Sequence, residues 1–295
     1  MPSFFSDGLP FNYATRGVGT KTFFFQHGIG GSLAQPFRFL IPPDQEDPSL
    51  AKESGTCVRP FRLAAFDFRA HGETPLGDPK KLRIDTFGDD LIAFMDHLEI
   101  ETAILGGISM GAAVALSAAS RYPQRCTGLV LSRPAWLKGS MSAQAVAAYA
   151  EAARLLQAEP SPQGALRKLE KSNIYQRLTA VNADSGKSLL GQVRCVVSDP
   201  RIREAAVARL QHLPSGQPLD LKSAETINAP TLILATPNDP IHPFCFAEAL
   251  AAAIPRASLV KLGPKQLNDG PHIQEVNSRI FRFLDSLWTR CCRIN

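Results

Sequence analysis

Short apolar runs alternate with longer amphipathic ones along almost the whole chain, and this alternation constrains the fold most. Thr22–Gln26, Leu63–Phe66, Ala103–Gly106, Leu129–Leu131, Thr231–Ala235 and Ser258–Leu262 read as strands. Such near-continuous apolar runs suit strands buried on both faces. Helical patterns lie between them. Thr86 is expected to cap a helix running to Leu98, because Phe87, Leu91, Met95 and Leu98 share one face. Met110–Tyr122 reads as a helix stopped by Pro123, and Gln274–Trp288 as a final one with Val276, Ile280, Leu284 and Leu287 on one stripe. Strands alternating with helices predict an α/β fold with a mostly parallel, doubly wound sheet. Ahead of it, Asp7-Gly8 between Phe4-Phe5 and Phe11–Ala14 predicts a hairpin, since that pair accepts the positive φ of a tight turn. Residues 41–60 hold four prolines and are expected to form a surface connection.

One interval breaks the pattern. Residues 136–220 contain helical stretches such as Ser142–Ala158 and Arg201–His212 but no convincing strand. The expected organisation is a core formed by residues 1–135 and 221–295, with residues 136–220 inserted as an all-helical lid over one end of the sheet.

Gly107-Ile108-Ser109-Met110-Gly111 is G-x-S-x-G between a predicted strand and a predicted Ala-rich helix. That setting gives the pattern its chemistry. The serine is raised on a strained turn above the sheet, and the small residues on either side let the two backbones nearly touch. The Met110 N–H then lies at a helix N-terminus, where it can meet a developing oxyanion. A serine hydroxyl is a weak nucleophile at neutral pH. It needs a neutral imidazole to take its proton and a carboxylate to fix the imidazole tautomer.

Five segments in order, HGIGGS (27–32), DFRAHGET (67–74), GGISMG (106–111), PTLILATPNDPIHP (230–243) and GPHIQEV (270–276), make the chain resemble the α/β-hydrolase superfamily over nearly its whole length. The resemblance implies the α/β-hydrolase fold and a triad in the order Ser, Asp, His. Ser109 would be the nucleophile and Asp239 the acid. His272, 33 residues later and ahead of the last helix, would be the base. His242 and His71 are the rivals for that last role; His242 follows Asp239 by only three residues and is expected to point elsewhere. Asp239 itself competes with the reading of Pro-Asn-Asp-Pro as a simple turn. The oxyanion donors implied are the backbone N–H groups of Ile29, with Gly30 as fallback, and Met110, with His27 bracing the loop. Ala70 and Pro271 depart from the family pattern, which often has glycine at both places.

Substrate contacts are expected from Gly30, Trp136 and Arg133, with Phe37, Phe68 and Tyr149 as further candidates. The implied reaction is hydrolysis of a small-to-medium ester, thioester or lactone through an acyl-serine. The same triad also serves C–C bond hydrolysis of ketonic substrates, and some proteins of this fold are ligand receptors. No cofactor and no metal site is expected: the His and acidic residues lack ligand spacing, and no phosphate loop or dinucleotide fingerprint is present.

Composition narrows the partners. Across 295 residues, 32 Lys and Arg face 27 Asp and Glu, and the basic residues are scattered instead of clustered as nucleic-acid binding requires. The expected partner is a small molecule. The six cysteines form no C-x-x-C pair, so a reduced, cytoplasmic setting is expected. No secretory leader and no membrane span is read from the sequence. The oligomeric state is left open.

Overall fold

The computed structural model describes residues 1–40, 61–215, 221–263 and 270–291. The predicted connection over residues 41–60 lies outside the described residues. The hairpin forms as β1 (Ser3–Ser6) and β2 (Leu9–Arg16), with Asp7 at φ 51° and Gly8 at φ 74° in its turn. There follow β3 (Thr22–Gln26), α1 (Ala34–Leu40), β4 (Arg62–Phe66), α2 (Ile84–His97), β5 (Ala103–Ile108), α3 (Met110–Arg121) and β6 (Cys126–Ser132). The helices α4 (Ala143–Ala158), α5 (Pro162–Lys171), α6 (Asn173–Val181), α7 (Ala183–Ser198), α8 (Arg203–His212) and α9 (Leu221–Ala224) come next. The chain closes with β7 (Thr231–Ala235), α10 (Phe244–Ala253), β8 (Ala257–Lys261) and α11 (Gly270–Cys291).

The eight strands make one sheet in the order β1-β2-β4-β3-β5-β6-β7-β8. β1, β2 and β4 pair antiparallel, and every pairing from β4 through β3 to β8 is parallel. The apolar runs divide between two cores by strand alternation. Phe24, Ala64, Phe66, Leu105, Leu129, Leu131 and Ile233 join the core that holds α2, α3 and α10. Phe23, Phe25, Leu63, Ala65, Ile104, Val130, Leu232 and Leu234 join the other, against α1 and the Val276, Ile280, Leu284 and Trp288 stripe of α11.

Between β6 and β7 the described residues contribute no strand to the sheet. From α4 to α7 the stretch divides into separate helices because the turn before each supplies its own cap. Ser142, Ser161, Ser172 and Asn182 accept from the backbone N–H three residues on, at Ala145, Gly164, Tyr175 and Ser185.

Two helix starts differ from the sequence reading. α2 begins at Ile84, and Thr86 lies inside it; Arg83, in extended conformation, stands at the N-cap without a side-chain bond. α11 begins at Gly270, four residues before Gln274, so Pro271 and His272 belong to its first turn. Proline near a helix start forfeits no intrahelical bond and carries a helical φ already.

Candidate active site

The parallel strands β3 to β7 end at one edge of the sheet, where an open α/β sheet receives its ligands. His27, Asp67, Ser109, Arg133 and Asp239 all follow the ends of these strands. Ser109 sits between β5 and α3 at φ 57°, ψ −110°, a conformation that costs a non-glycine residue about 1–3 kcal/mol. The elbow is possible because two glycines leave room. A Cβ on Gly107 would collide with the backbone of Gly111, and one on Gly111 with the carbonyl of Gln26. The Ser109 N–H is tied to Ser132 O at 2.9 Å, which anchors the turn to β6.

The imidazole bonded to Ser109 is that of His242. Its Nε2 lies 3.0 Å from Ser109 Oγ, and its Nδ1 lies 2.8 Å from Asp239 Oδ2. All three side chains are buried. A carboxylate can only accept, so Nδ1 carries the proton and Nε2 is left to accept from the serine hydroxyl.

The sequence reading expects His272 in that place; the described hydrogen bond to Ser109 Oγ is made by His242. The reason is the turn after β7. Asp239 Oδ1 accepts from the backbone N–H groups of Ile241 (3.0 Å) and His242 (3.1 Å), curling Pro240-Ile241-His242 back over the carboxylate. A spacing of three therefore folds the His242 ring onto its own acid. His272, fixed in the first turn of α11, is buried in the wall of a neighbouring cavity together with Ile273.

Asp239 is held from several sides. Ser185 Oγ donates to Oδ1 at 2.9 Å, and an Arg133 Nη donates to Oδ2 at 2.6 Å and to Asp184 at 2.9 Å. Burial alone would raise the Asp239 carboxyl. The charges and hydrogen bonds of His242 and Arg133 override it and hold the group far below the usual carboxylate range. Burial lowers His242; Asp239 opposes that shift and Arg133 adds to it, leaving the imidazole below its ordinary value.

The loop after β3 runs beside the serine. A Cβ on Gly28 would stand 3.4 Å from both Ser109 Cβ and Ile108 O. His27 braces this loop: Nδ1 donates to Gly28 O (2.8 Å), and Nε2 accepts from Phe68 N (3.2 Å). Burial pushes His27 down to about 4, so the ring is neutral at pH 7. Gln35 Oε1 accepts from Gly28 N at 2.8 Å, and Gln192 Nε2 donates to Ile29 O at 3.1 Å. Ile29 thus lies in a loop pinned at Gly28 and at its own carbonyl. Met110 is the first residue of α3, where the N–H has no intrahelical acceptor.

Residues 21–266 match the family described as alpha/beta hydrolase fold. The chain belongs to the α/β-hydrolase family. Over 140 residues it is 33% identical to the dihydrolipoyllysine-residue acetyltransferase component of the acetoin cleaving system of Pseudomonas putida, covering 46% of this chain and 33% of that one. Over 77 residues it is 36% identical to 3-oxoadipate enol-lactonase 2 of Acinetobacter baylyi, covering 25% and 28%. The chain thus spans about a third or less of the length of these curated relatives. The crystal structure of the enol-lactonase from Burkholderia xenovorans LB400 superposes with a TM-score of 0.71 at 19% identity, covering 96% of this chain and all of that one. At that identity the likeness is one of fold.

In this α/β-hydrolase the remaining predicted residues separate. Gly30 lines a cavity of about 620 Å³ beside the elbow, with Ile108, Ser132 and Arg133. Arg133 reaches that wall, but its guanidinium is engaged by two carboxylates, so it is first a clamp on Asp239. Trp136 is a buried joint: Nε1 donates to Leu213 O at 3.0 Å, tying the chain after β6 to the end of α8. Phe68 stacks on Phe87, and Phe37 packs in the α1/α11 core. The Tyr149 hydroxyl, bonded to Ser188, is raised by burial. His71 is buried, with Nδ1 against Arg69 O at 2.9 Å. Asp184, Ser185, Gln192 and Arg209 reach the site from α7 and α8, and no local sequence pattern marks them.

Among the described residues, no helix is long and apolar enough to cross a membrane.

Proposed function

We propose that the protein is a serine hydrolase that cleaves a small-to-medium carboxylic ester, thioester or lactone through an acyl-serine intermediate. The observation that carries this reading is the continuous hydrogen-bonded chain Asp239–His242–Ser109 at the end of the sheet. His242 Nε2 takes the hydroxyl proton as Ser109 Oγ forms a bond to the carbonyl carbon. Asp239 stabilises the imidazolium through Nδ1–H. The carbonyl oxygen becomes an oxyanion facing the N–H groups of Met110 and Ile29, each such donor contributing about 3 kcal/mol in comparable sites. Collapse expels the leaving oxygen or sulfur, which receives the proton from His242. Water then enters, loses a proton to His242, and releases the acid and the free serine. A lactone follows the same course, with acid and alcohol leaving as one molecule.

Helices α4–α8 act in this reading as the lid that encloses the substrate, with residues 136–220 as its extent. The lid is supported by the contacts that α7 makes to Asp239 and to the His27–Gly31 loop, and by the one that Arg209 of α8 makes to Ala70 O. The lactonase relatives support the substrate class, since their names state that chemistry.

The test is Ser109→Ala on a panel of p-nitrophenyl esters, thioesters and lactones, with fluorophosphonate labelling followed by mass spectrometry. The wild type is expected to turn over and to carry the label on Ser109, and the variant to do neither. Unchanged turnover in the variant would end this reading.

A further inference from the structure

The wall of the 620 Å³ cavity holds one cation of unusual standing. Arg209, on α8, is 3% exposed. One Nη donates to Ala70 O at 2.8 Å and the other to Cys195 Sγ at 3.2 Å, a carbonyl and a thiol. A guanidinium has five donor hydrogens, and Nε has no partner among the described residues. No carboxylate among the described residues is ion-paired with it.

Buried charges are ordinarily paired, because an uncompensated one loses its hydration without recompense. The other charges on the cavity wall do not compensate Arg209. Glu73 is exposed, and Asp199 is chelated by Arg201 through two hydrogen bonds. Arg133 is neutralised by Asp184 and Asp239, and Arg38 is exposed to water. The dehydrated positive charge beside the elbow is therefore that of Arg209. Among the described residues no carboxylate bonds to it, His27 and His71 lie buried nearby, and burial depresses its hold on its proton. A substrate carboxylate would supply the missing charge and accept from the free donors in the planar, charge-assisted manner arginine favours.

We propose that Arg209 makes this cavity a carboxylate subsite, so that the ester, thioester or lactone cleaved at Ser109 carries a free acid group. This rests on the hydrolase reading above and narrows its substrate class.

The experiment compares matched substrates: p-nitrophenyl hemiesters of succinic, glutaric and adipic acids against the same esters ending in a carboxamide. The pairs are nearly isosteric and differ in charge. For at least one chain length, wild-type kcat/KM is expected to favour the carboxylate by about 30-fold, the scale of one hydrogen-bonded ion contact. Arg209→Gln is expected to collapse that ratio to below about 3, and Arg209→Lys to keep part of it. A brace for the Ala70 carbonyl alone would lower both substrates together and leave the ratio where it was. Calorimetric titration of the Ser109→Ala protein with glutarate and with glutaramide supplies a second readout, in which only glutarate is expected to bind.

Equal use of both ester series by the wild type, with no glutarate binding, would overturn the subsite and leave the hydrolase reading intact. Glutarate binding without cleavage of any ester would overturn the hydrolase reading and keep the anion site. If Arg209→Gln does not fold, the wild-type ratio and the titration decide.

Discussion

The turn after β7 and the segment after β8 each bring a histidine to the end of the sheet, and they are built differently. After β7, the chain from Thr236 to Pro243 wraps a single carboxylate: Asp239 accepts from two backbone N–H groups, Ser185, Arg133 and the His242 ring. After β8, His272 arrives already inside a helix, its backbone fixed by the first turn of α11 and its side chain against a cavity wall. Both histidines are buried, so burial does not separate them. What separates them is the company of the ring. One lies between an acid and an alcohol. The other lines the cavity that Gly30, Ile108 and Ser132 also border. A histidine's place in the sequence order therefore says less about its chemistry than the turn that carries it.

The largest effect that would sharpen this contrast is on the acid. Asp239→Asn would put an amide against His242 Nδ1 and favour the wrong tautomer. It is expected to lower kcat/KM for the best ester by about 10⁴-fold, as loss of tautomer control does in comparable triads. A fall of less than about tenfold would mean that the wrapped carboxylate orients nothing.

A smaller effect is expected from Arg133→Met, which removes the cation that Asp239 and Asp184 share. The loss is about 10- to 100-fold in kcat/KM, matching the 1.5–3 kcal/mol of a hydrogen bond to a charged group. The pH profile carries a sign. The base works neutral, so activity falls as pH drops through the pKa of His242. Burial and Arg133 both lower that pKa, so the wild-type acidic limb should lie below the ordinary histidine range. Removing Arg133 should move the limb to higher pH. A limb that stays put or moves lower would show that Arg133 does not act on the imidazole.

Much of the scaffold was legible from pattern alone. The ends of β3 and β7 fall where the apolar runs of Thr22–Gln26 and Thr231–Ala235 end, because strands buried on both faces have sharp compositional edges. Ser109 was legible because the elbow needs its two glycines, and Asp239 because it follows the end of β7. The base was not. Three residues from Asp239, His242 looks too close to face it, and only the two backbone hydrogen bonds onto Oδ1 reveal that the turn closes tightly enough. The prolines at 240 and 243 that bracket Ile241-His242 were the available hint. Arg209, Gln192 and Asp184 were illegible for a different reason: they are single polar residues on helix faces, and only the docking of α7 and α8 over the sheet gives them a shared address.

The assignment of the base is tested most directly by measuring kcat/KM for one p-nitrophenyl ester in His242→Ala and His272→Ala side by side, each variant checked for folding by circular dichroism. The account predicts a loss on the order of 10⁴-fold or more for His242→Ala and less than about tenfold for His272→Ala. Near-complete loss in His272→Ala alongside an active His242→Ala would contradict it.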